Sequence, residues 1–211
     1  MLKHRAIIDV SGLPATVLDH RSPIWWGNTL LLAIETTMFA LLVACYFYVR
    51  VVDFTVWPPP NGNAIPPVYN TAPDLPLPLL NLGILLVSLV PMIWADRACL
   101  KRDARAVKFG LTLCVLLGIA VIAIRFLEFK SLHFKWSDNA YASIIWTLVG
   151  LHLTHLVIAT SENLIMTIWV FVKGLDDKHA RDVRVTAVYW YWVGVIWVLL
   201  FIIIWGGARW L

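Results

Sequence analysis

The sequence has 211 residues, of which 60% are hydrophobic and 14% charged, and its mean hydropathy is +0.77. A soluble domain averages about 45–50% apolar and about 25% charged residues, so a water-soluble fold could not bury this much apolar surface. The net charge of +4 fits basic loops facing anionic lipid headgroups and gives no reason to expect a nucleic-acid partner.

Five apolar blocks follow one another along the chain, each close to the roughly 20 residues that cross a hydrocarbon core. The blocks are apolar on every face, which predicts helices, because strands of a membrane barrel would alternate in polarity. Residues 1–24 are interrupted by charges and predict a cytoplasmic segment before a five-helix membrane domain over 25–211. We therefore predict an all-α integral membrane protein. The blocks cover residues 25–49, 77–95, 109–126, 140–171 and 185–205.

A carboxylate interrupts the first block. Glu35 follows Trp25 by ten residues, which places it at roughly 15 Å depth in a helix. A charge at the centre of a bilayer costs about 2.5–3.5 kcal/mol on insertion scales, and such groups are rare. Two interpretations stay open. Glu35 either exchanges protons or contacts lipid, or it makes an interhelical hydrogen bond that fixes packing.

A proline-rich stretch separates the first two blocks. It starts at Trp57-Pro58 and continues to Pro78. Proline lacks a backbone N–H and breaks helices, so we expect the whole stretch to be a non-helical external loop.

The third and fourth blocks also carry polar groups. Arg125 and Glu128 are i, i+3 neighbours, which predicts a local ion pair. His152, His155 and Glu162 fall on one helical face, which must point into protein or a wet cavity. One helix supplies at most two metal or haem ligands, and the other histidines, at 4, 20, 133 and 179, lie outside the blocks. Helix–helix hydrogen bonding is therefore the preferred interpretation of this face.

Other residues indicate the membrane surfaces and the orientation. Tryptophans near span ends, at 25, 26, 57, 136, 205 and 210, predict an aromatic belt. Lys and Arg number three in the N-terminal segment, five between spans two and three and four between spans four and five, against four on the opposite side. By the positive-inside rule the N-terminus is cytoplasmic and the C-terminus external. The sequence has no glycine-rich phosphate loop, no Ser/His/Asp set and no C-x-x-C motif, so we predict no catalytic centre.

The order of these motifs resembles subunit III of the haem-copper oxidases, most closely the cytochrome c oxidase type. Glu35 stands in a segment similar to the glutamate-bearing helix of that family. In the last span, Tyr191 and Gly194 occupy positions where the family commonly has His and Asp, Arg184 replaces a loop carboxylate, and Glu162 has no recognised counterpart. The matching segments are Gly27 to Phe39, Tyr46-Phe47-Tyr48, Trp57-Pro58-Pro59, Leu77 to Asn81, Gly150 to His155 and Tyr189 to Trp197.

The resemblance implies an accessory subunit, of a short five-helix bacterial type, in the inner (plasma) membrane. It implies that this chain binds no redox cofactor, that haem and copper belong to catalytic subunit I and other partner subunits, and that phospholipids fill a cleft. It further implies support of assembly, proton uptake and turnover stability in aerobic respiration.

We assign three residues, Glu35, His152 and His155, to a proton or lipid-cleft site. Arg125, Glu128 and Glu162 are assigned as structural polar groups. Two alternatives stay open. One is subunit III of a quinol oxidase or nitric-oxide-reductase complex, and the other is a small proton-coupled transporter that uses Glu35 and Glu162.

Overall fold

The computed structural model describes residues 22–53, 55–61 and 71–210. Within these residues, five helical stretches are long and apolar enough to cross a membrane. The prediction of an all-α fold with five spans is therefore confirmed. Most of the N-terminal segment (1–21) and the middle of the proline-rich stretch (62–70) lie outside the described residues. The helices are α1 (Pro23–Val52), α2 (Pro76–Leu100), α3 (Ala104–Ser131), α4 (Ala140–Lys173) and α5 (Asp177–Phe201), and a π-helical turn (Ile202–Gly206) and the short α6 (Gly207–Trp210) continue α5.

Polar caps extend three of the helices beyond the apolar blocks. The side chains of Asp103, Asn139 and Asp176 accept hydrogen bonds from backbone N–H groups in the first turns of α3, α4 and α5. The donation from His179 lowers the pKa of Asp176, which lies between two spans. An apolar block thus marks where the chain crosses the hydrocarbon, while the helix itself runs on to its cap.

The proline-rich stretch becomes helical before it ends. Pro76 and Pro78 lie in the first turn of α2, so the expectation of a non-helical loop as far as Pro78 is wrong. The first N–H groups of a helix have no intrahelical partner, and proline is tolerated there because the donor it lacks is not needed.

Helices α2, α3, α4 and α5 form a closed ring in which each helix packs against the next and α5 packs back on α2. Helix α1 lies outside this ring, against α4 and α5. Only Phe39 and Tyr46 of α1 are buried, whereas α4 buries side chains along its whole length. The groove between α4 and α5 is therefore where α1 meets the rest of the protein.

Small side chains let α2 and α3 approach closely. A Cβ atom on Gly110 would stand 2.9 Å from both the Ala95 Cβ and the Pro91 carbonyl oxygen. One turn before Pro91, the carbonyl of Ser88 accepts a hydrogen bond from the Cys114 thiol at 3.4 Å, and its hydroxyl accepts one from the Trp190 indole at 3.0 Å. Ser88 thereby connects α2 to both α3 and α5.

The tryptophans at the span ends divide between the surface and the core. Trp26, Trp136 and Trp210 are exposed, as an aromatic belt requires, but Trp205 is only 2% exposed. The Trp205 indole donates to the Asp74 carbonyl at 3.0 Å. The belt prediction is wrong for Trp205, because a buried indole that finds a hydrogen-bond acceptor packs well inside a protein.

Candidate functional site

Glu35 and His155 meet where α1 packs on α4. The Glu35 Oε1 atom lies 3.7 Å from the His155 Nε2 atom, and the two side chains are 15% and 5% exposed. The His155 Nδ1 atom lies 2.7 Å from the Leu151 carbonyl oxygen, so this nitrogen carries a proton. In the neutral imidazole the Nε2 atom is then the free base, and it faces the carboxyl group. The two groups are therefore within ion-pair distance of each other but beyond direct hydrogen-bond distance.

Aromatic rings enclose this pair. The Phe39 ring lies 5.1 Å from the His155 ring, and the Trp192 ring lies 5.5 Å from it. The Tyr189 ring of α5 stacks on the Trp192 ring with 5.7 Å between the centres. These rings cover the inner side of the pair.

An apolar groove of about 230 Å³ runs beside the site between α1 and α5. It begins at Thr36 and Phe39, next to Glu35, and continues past Val43 to Ile203. Thr36 is fixed there because its hydroxyl accepts a hydrogen bond from the Trp192 indole at 2.8 Å. The groove has the shape and polarity that suit an acyl chain.

A second polar cluster lies inside the four-helix ring. Arg125 is completely buried, and its Nη1 atom lies 2.6 Å from the Glu128 Oε2 atom, so the ion pair expected from the spacing is present. The other Glu128 oxygen accepts from the Asn81 amide at 2.6 Å. The Arg125 guanidinium stacks over the Trp197 ring at 3.5 Å from the ring centre. Helices α2, α3 and α5 thus each contribute at least one side chain to this buried cluster.

His152 belongs to this inner cluster. Its Nε2 atom lies 3.1 Å from the Val193 carbonyl oxygen, and its ring centre lies 4.5 Å from that of Trp197. The structure therefore places His155 beside Glu35 but His152 beside the indole that also contacts Arg125. The polar face of α4 serves two separate sites, less than one turn apart.

Glu162 lies two helical turns from His155 on α4 and is half-buried. The seven-residue spacing puts it on the same face of α4 as His155. Sequence reasoning missed Tyr189 and Trp197, because a tryptophan or tyrosine within a span is usually a packing residue. A phenolic hydroxyl in mid-span is a signal that could have pointed to Tyr189.

The positions that depart from the family pattern make a contact of their own between α2 and α5. The Arg184 Nε atom lies 3.1 Å from the Asp96 Oδ1 atom, and Tyr191 packs against the hydrophobic core. Gly194 faces Leu89. Among the residues that the structure describes, no three His, Cys, Asp or Glu side chains come together as ligands for a metal ion.

Comparisons with known proteins identify the family of the chain. Residues 13–208 match the family described as cytochrome c oxidase subunit III. Cytochrome c oxidase subunit 3 of Petromyzon marinus is 27% identical over 198 residues, which are 90% of this chain and 73% of that protein. The proteins of the same name from Triticum aestivum and Pylaiella littoralis are 30% and 31% identical over 72% of this chain. The matches cover 56% and 54% of those two proteins, so this chain spans about half their length. The chain belongs to the cytochrome c oxidase subunit III family.

Proposed function

We propose that this chain is an accessory subunit of a terminal cytochrome c oxidase in an aerobic respiratory chain, without a redox centre of its own. In this proposal haem and copper belong to catalytic subunit I and other partner subunits. Family membership supports the oxidase assignment. The names of the relatives support cytochrome c, rather than a quinol, as the electron donor of the complex.

The chain supports assembly, proton uptake and turnover stability of the catalytic subunit. The observation that carries the proton role is the 3.7 Å contact between Glu35 and His155. Glu35 follows Pro23 by twelve residues, which is roughly 18 Å along α1, so the pair lies deep in the hydrocarbon. Ionisable groups at such depth are costly and characteristically mark proton relays.

The lipid role follows from the groove beside the pair. Its lining is apolar except for Thr36, and it includes Phe39, Ala40 and Val43 of α1. A phospholipid acyl chain in this groove would cover the outer side of Glu35 and limit its contact with water. His152 and the Arg125–Glu128 pair then hold the ring against which α1 packs.

The proposed location is the inner (plasma) membrane of a bacterium, with the N-terminus cytoplasmic and the C-terminus external. Lys101, Arg102 and Arg105 lie where α2 meets α3, and Lys173 and Arg181 lie where α4 meets α5. Both turns are at the same end of the ring, and the positive-inside rule puts that end in the cytoplasm.

Glu35→Gln in the intact oxidase tests the proton role. We expect an unchanged haem spectrum and an activity loss during turnover that is faster by roughly two- to tenfold, corresponding to about 0.4–1.4 kcal/mol on a barrier. Thr37→Ala is the matched control, because the Thr37 hydroxyl only bonds its own helix. Wild-type turnover in Glu35→Gln would contradict the proton role, and loss of the haems would make Glu35 an assembly residue.

A further inference from the structure

Two apolar grooves flank Leu79 on the exposed side of α2. The smaller groove, of about 160 Å³, lies between α2 and the end of α5, and its lining includes Leu79 and Phe201. The larger groove, of about 540 Å³, lies where α2 meets α3, and its lining includes Leu79, Gly83 and Leu117. Leu79 is 52% exposed and forms the ridge between the two grooves. Both are separate from the groove beside Glu35, which lies between α1 and α5.

The larger groove has the depth of one lipid leaflet. It begins at Pro76, in the first turn of α2, and the last α2 residue in its lining is Val87. Eleven residues of helix rise roughly 16 Å, about half of the hydrocarbon core of roughly 30 Å. Gly83 leaves room in this groove, because nothing lies within 4 Å of the place where its Cβ atom would stand. The groove therefore runs from the membrane surface to about the middle of the bilayer.

A cation lies at the surface end of the smaller groove. Arg209 is part of its lining, and the two Nη atoms donate to the carbonyl oxygens of Trp205 and Pro73 at 2.9 and 2.7 Å. Both acceptors are neutral, and a guanidinium has five N–H donors, so further donors remain. Among the described residues no carboxylate forms an ion pair with Arg209, and the Asp74 carboxylate pairs with His133 instead. The guanidinium is thus held in position with its charge uncompensated.

A phospholipid has the chemistry that this arrangement requires. Its phosphate lies at the membrane surface and forms charge-assisted hydrogen bonds with a guanidinium. Trp210 lines the groove beside Arg209 and is 82% exposed, as expected of a side chain at headgroup level. Two grooves divided by one side chain suit the two acyl chains of one molecule. A transmembrane helix of another protein crosses the whole core, so it would run past the point where the larger groove ends.

We propose that a diacyl phospholipid straddles Leu79, with its phosphate on the Arg209 guanidinium and one acyl chain in each groove. In the proposed orientation this lipid belongs to the external leaflet. It contacts α2, α3 and α5 at the end of the ring where α2 begins. The inference goes beyond the proposed function, because neither groove includes Glu35 or His155.

Binding of phosphatidylglycerol to the purified, delipidated oxidase tests the phosphate contact. Native mass spectrometry counts the lipids on each complex as the lipid is titrated. We expect Arg209→Gln to weaken one binding event by roughly five- to tenfold, the effect of one cation at a membrane surface. Lys135→Gln is the control, because this exposed cation lies at the same end of the ring and lines neither groove. Unchanged binding to Arg209→Gln would overturn the inference.

Two further comparisons separate the phosphate contact from a merely structural role of Arg209. Arg209→Lys keeps the charge, so it should retain most of the affinity. An affinity as low as that of Arg209→Gln would mean that Arg209 only holds the chain end, and would overturn the contact. Diacylglycerol with the same acyl chains lacks the phosphate, so Arg209→Gln should bind it as the wild type does. A loss of diacylglycerol binding equal to that of phosphatidylglycerol would also overturn the contact.

Gly83→Trp tests the larger groove without changing Arg209. The indole fills the groove, and the open space around Gly83 lets the chain accept it. We expect one phospholipid fewer on each complex. Val90→Trp is the matched control, because Val90 is exposed on the same helix but lies beyond Val87 and lines neither groove. Equal lipid binding by the two variants would overturn the placement of an acyl chain in this groove.

A cryo-EM map of the intact oxidase shows the occupant directly. We expect two elongated densities on either side of Leu79 that join beside Arg209. A helix of another subunit in the grooves, or acyl-chain density that never reaches Arg209, would overturn the inference. Failure of this lipid site leaves the proposed function standing, and wild-type turnover of Glu35→Gln leaves the lipid site standing, because the two tests concern different grooves.

Discussion

Arg125 is a completely buried cation in a helix that crosses the membrane. Its charge is compensated by Glu128, which is held by Asn81, and its flat guanidinium stacks on Trp197. A buried ion pair persists only where the geometry is good and further hydrogen bonds support it. These contacts come from three helices, so a single residue fixes the relative positions of α2, α3 and α5.

Glu128→Gln removes the counter-charge and keeps the shape of the side chain. We expect it to destabilise the chain by about 3–5 kcal/mol, because the Arg125 guanidinium is left buried without compensation. The temperature at which this chain dissociates from the oxidase measures the loss of stability. Lys130→Gln, an exposed change two residues further along α3, should leave the release temperature unchanged. Equal release temperatures for both variants would show that Asn81 and Trp197 suffice to hold the cation.

Helix α2 contains an internal proline and α5 ends in a π turn, and contacts with neighbouring helices accompany both features. Pro91 lies inside α2, next to the place where Gly110 brings α3 closest. At the end of α5, Ile203 lies in the π turn, and its carbonyl accepts a hydrogen bond from the Tyr46 hydroxyl of α1 at 3.3 Å. A π turn inserts an extra residue and redirects carbonyl groups, which gives α1 an acceptor on α5. These irregular points are where neighbouring helices are joined.

Gly110→Ala tests the close approach of α2 and α3. The added methyl group would stand 2.9 Å from a backbone oxygen and from Ala95, so one helix must move. We expect a loss of about 1–3 kcal/mol, as for other overpacked cores. Gly83→Ala is the matched control, because nothing lies within 4 Å of its added methyl group. The temperature at which each variant chain dissociates from the oxidase measures the difference. Equal temperatures for Gly110→Ala and Gly83→Ala would contradict a tight contact at Gly110.

The number of spans could be predicted for the whole molecule, because length and polarity decide whether a segment crosses a bilayer. The Arg125–Glu128 pair could be predicted too, since it follows from helical geometry. Which helices pack against one another could not be predicted from the sequence. A helix that is apolar all round has no preferred face, so the sequence did not separate His155 from His152. Nor did it indicate that Asn81 holds Glu128, which is 47 residues away.

Cysteine labelling tests the orientation of the whole molecule. Lys101 and Lys135 are exposed at opposite ends of α3. In a background without the exposed Cys45, we expect a membrane-impermeant maleimide to label Lys135→Cys from outside sealed spheroplasts. Lys101→Cys should react only after permeabilisation, because the positive-inside rule places it in the cytoplasm. The reverse pattern would contradict the proposed orientation.

The closed ring also has a consequence for biosynthesis. Ser88 bonds Trp190 over a separation of 102 residues, and Thr36 bonds Trp192 over 156. A ribosome adds about 5–20 residues per second, so α1 waits on the order of ten seconds for its partners on α4 and α5. During that time Glu35 is in the bilayer or the insertion machinery without His155. Helix α1 is thus the first of the described helices to be synthesised but among the last to pack. Until α4 and α5 are in place, the Glu35 side chain must be accommodated by other surroundings.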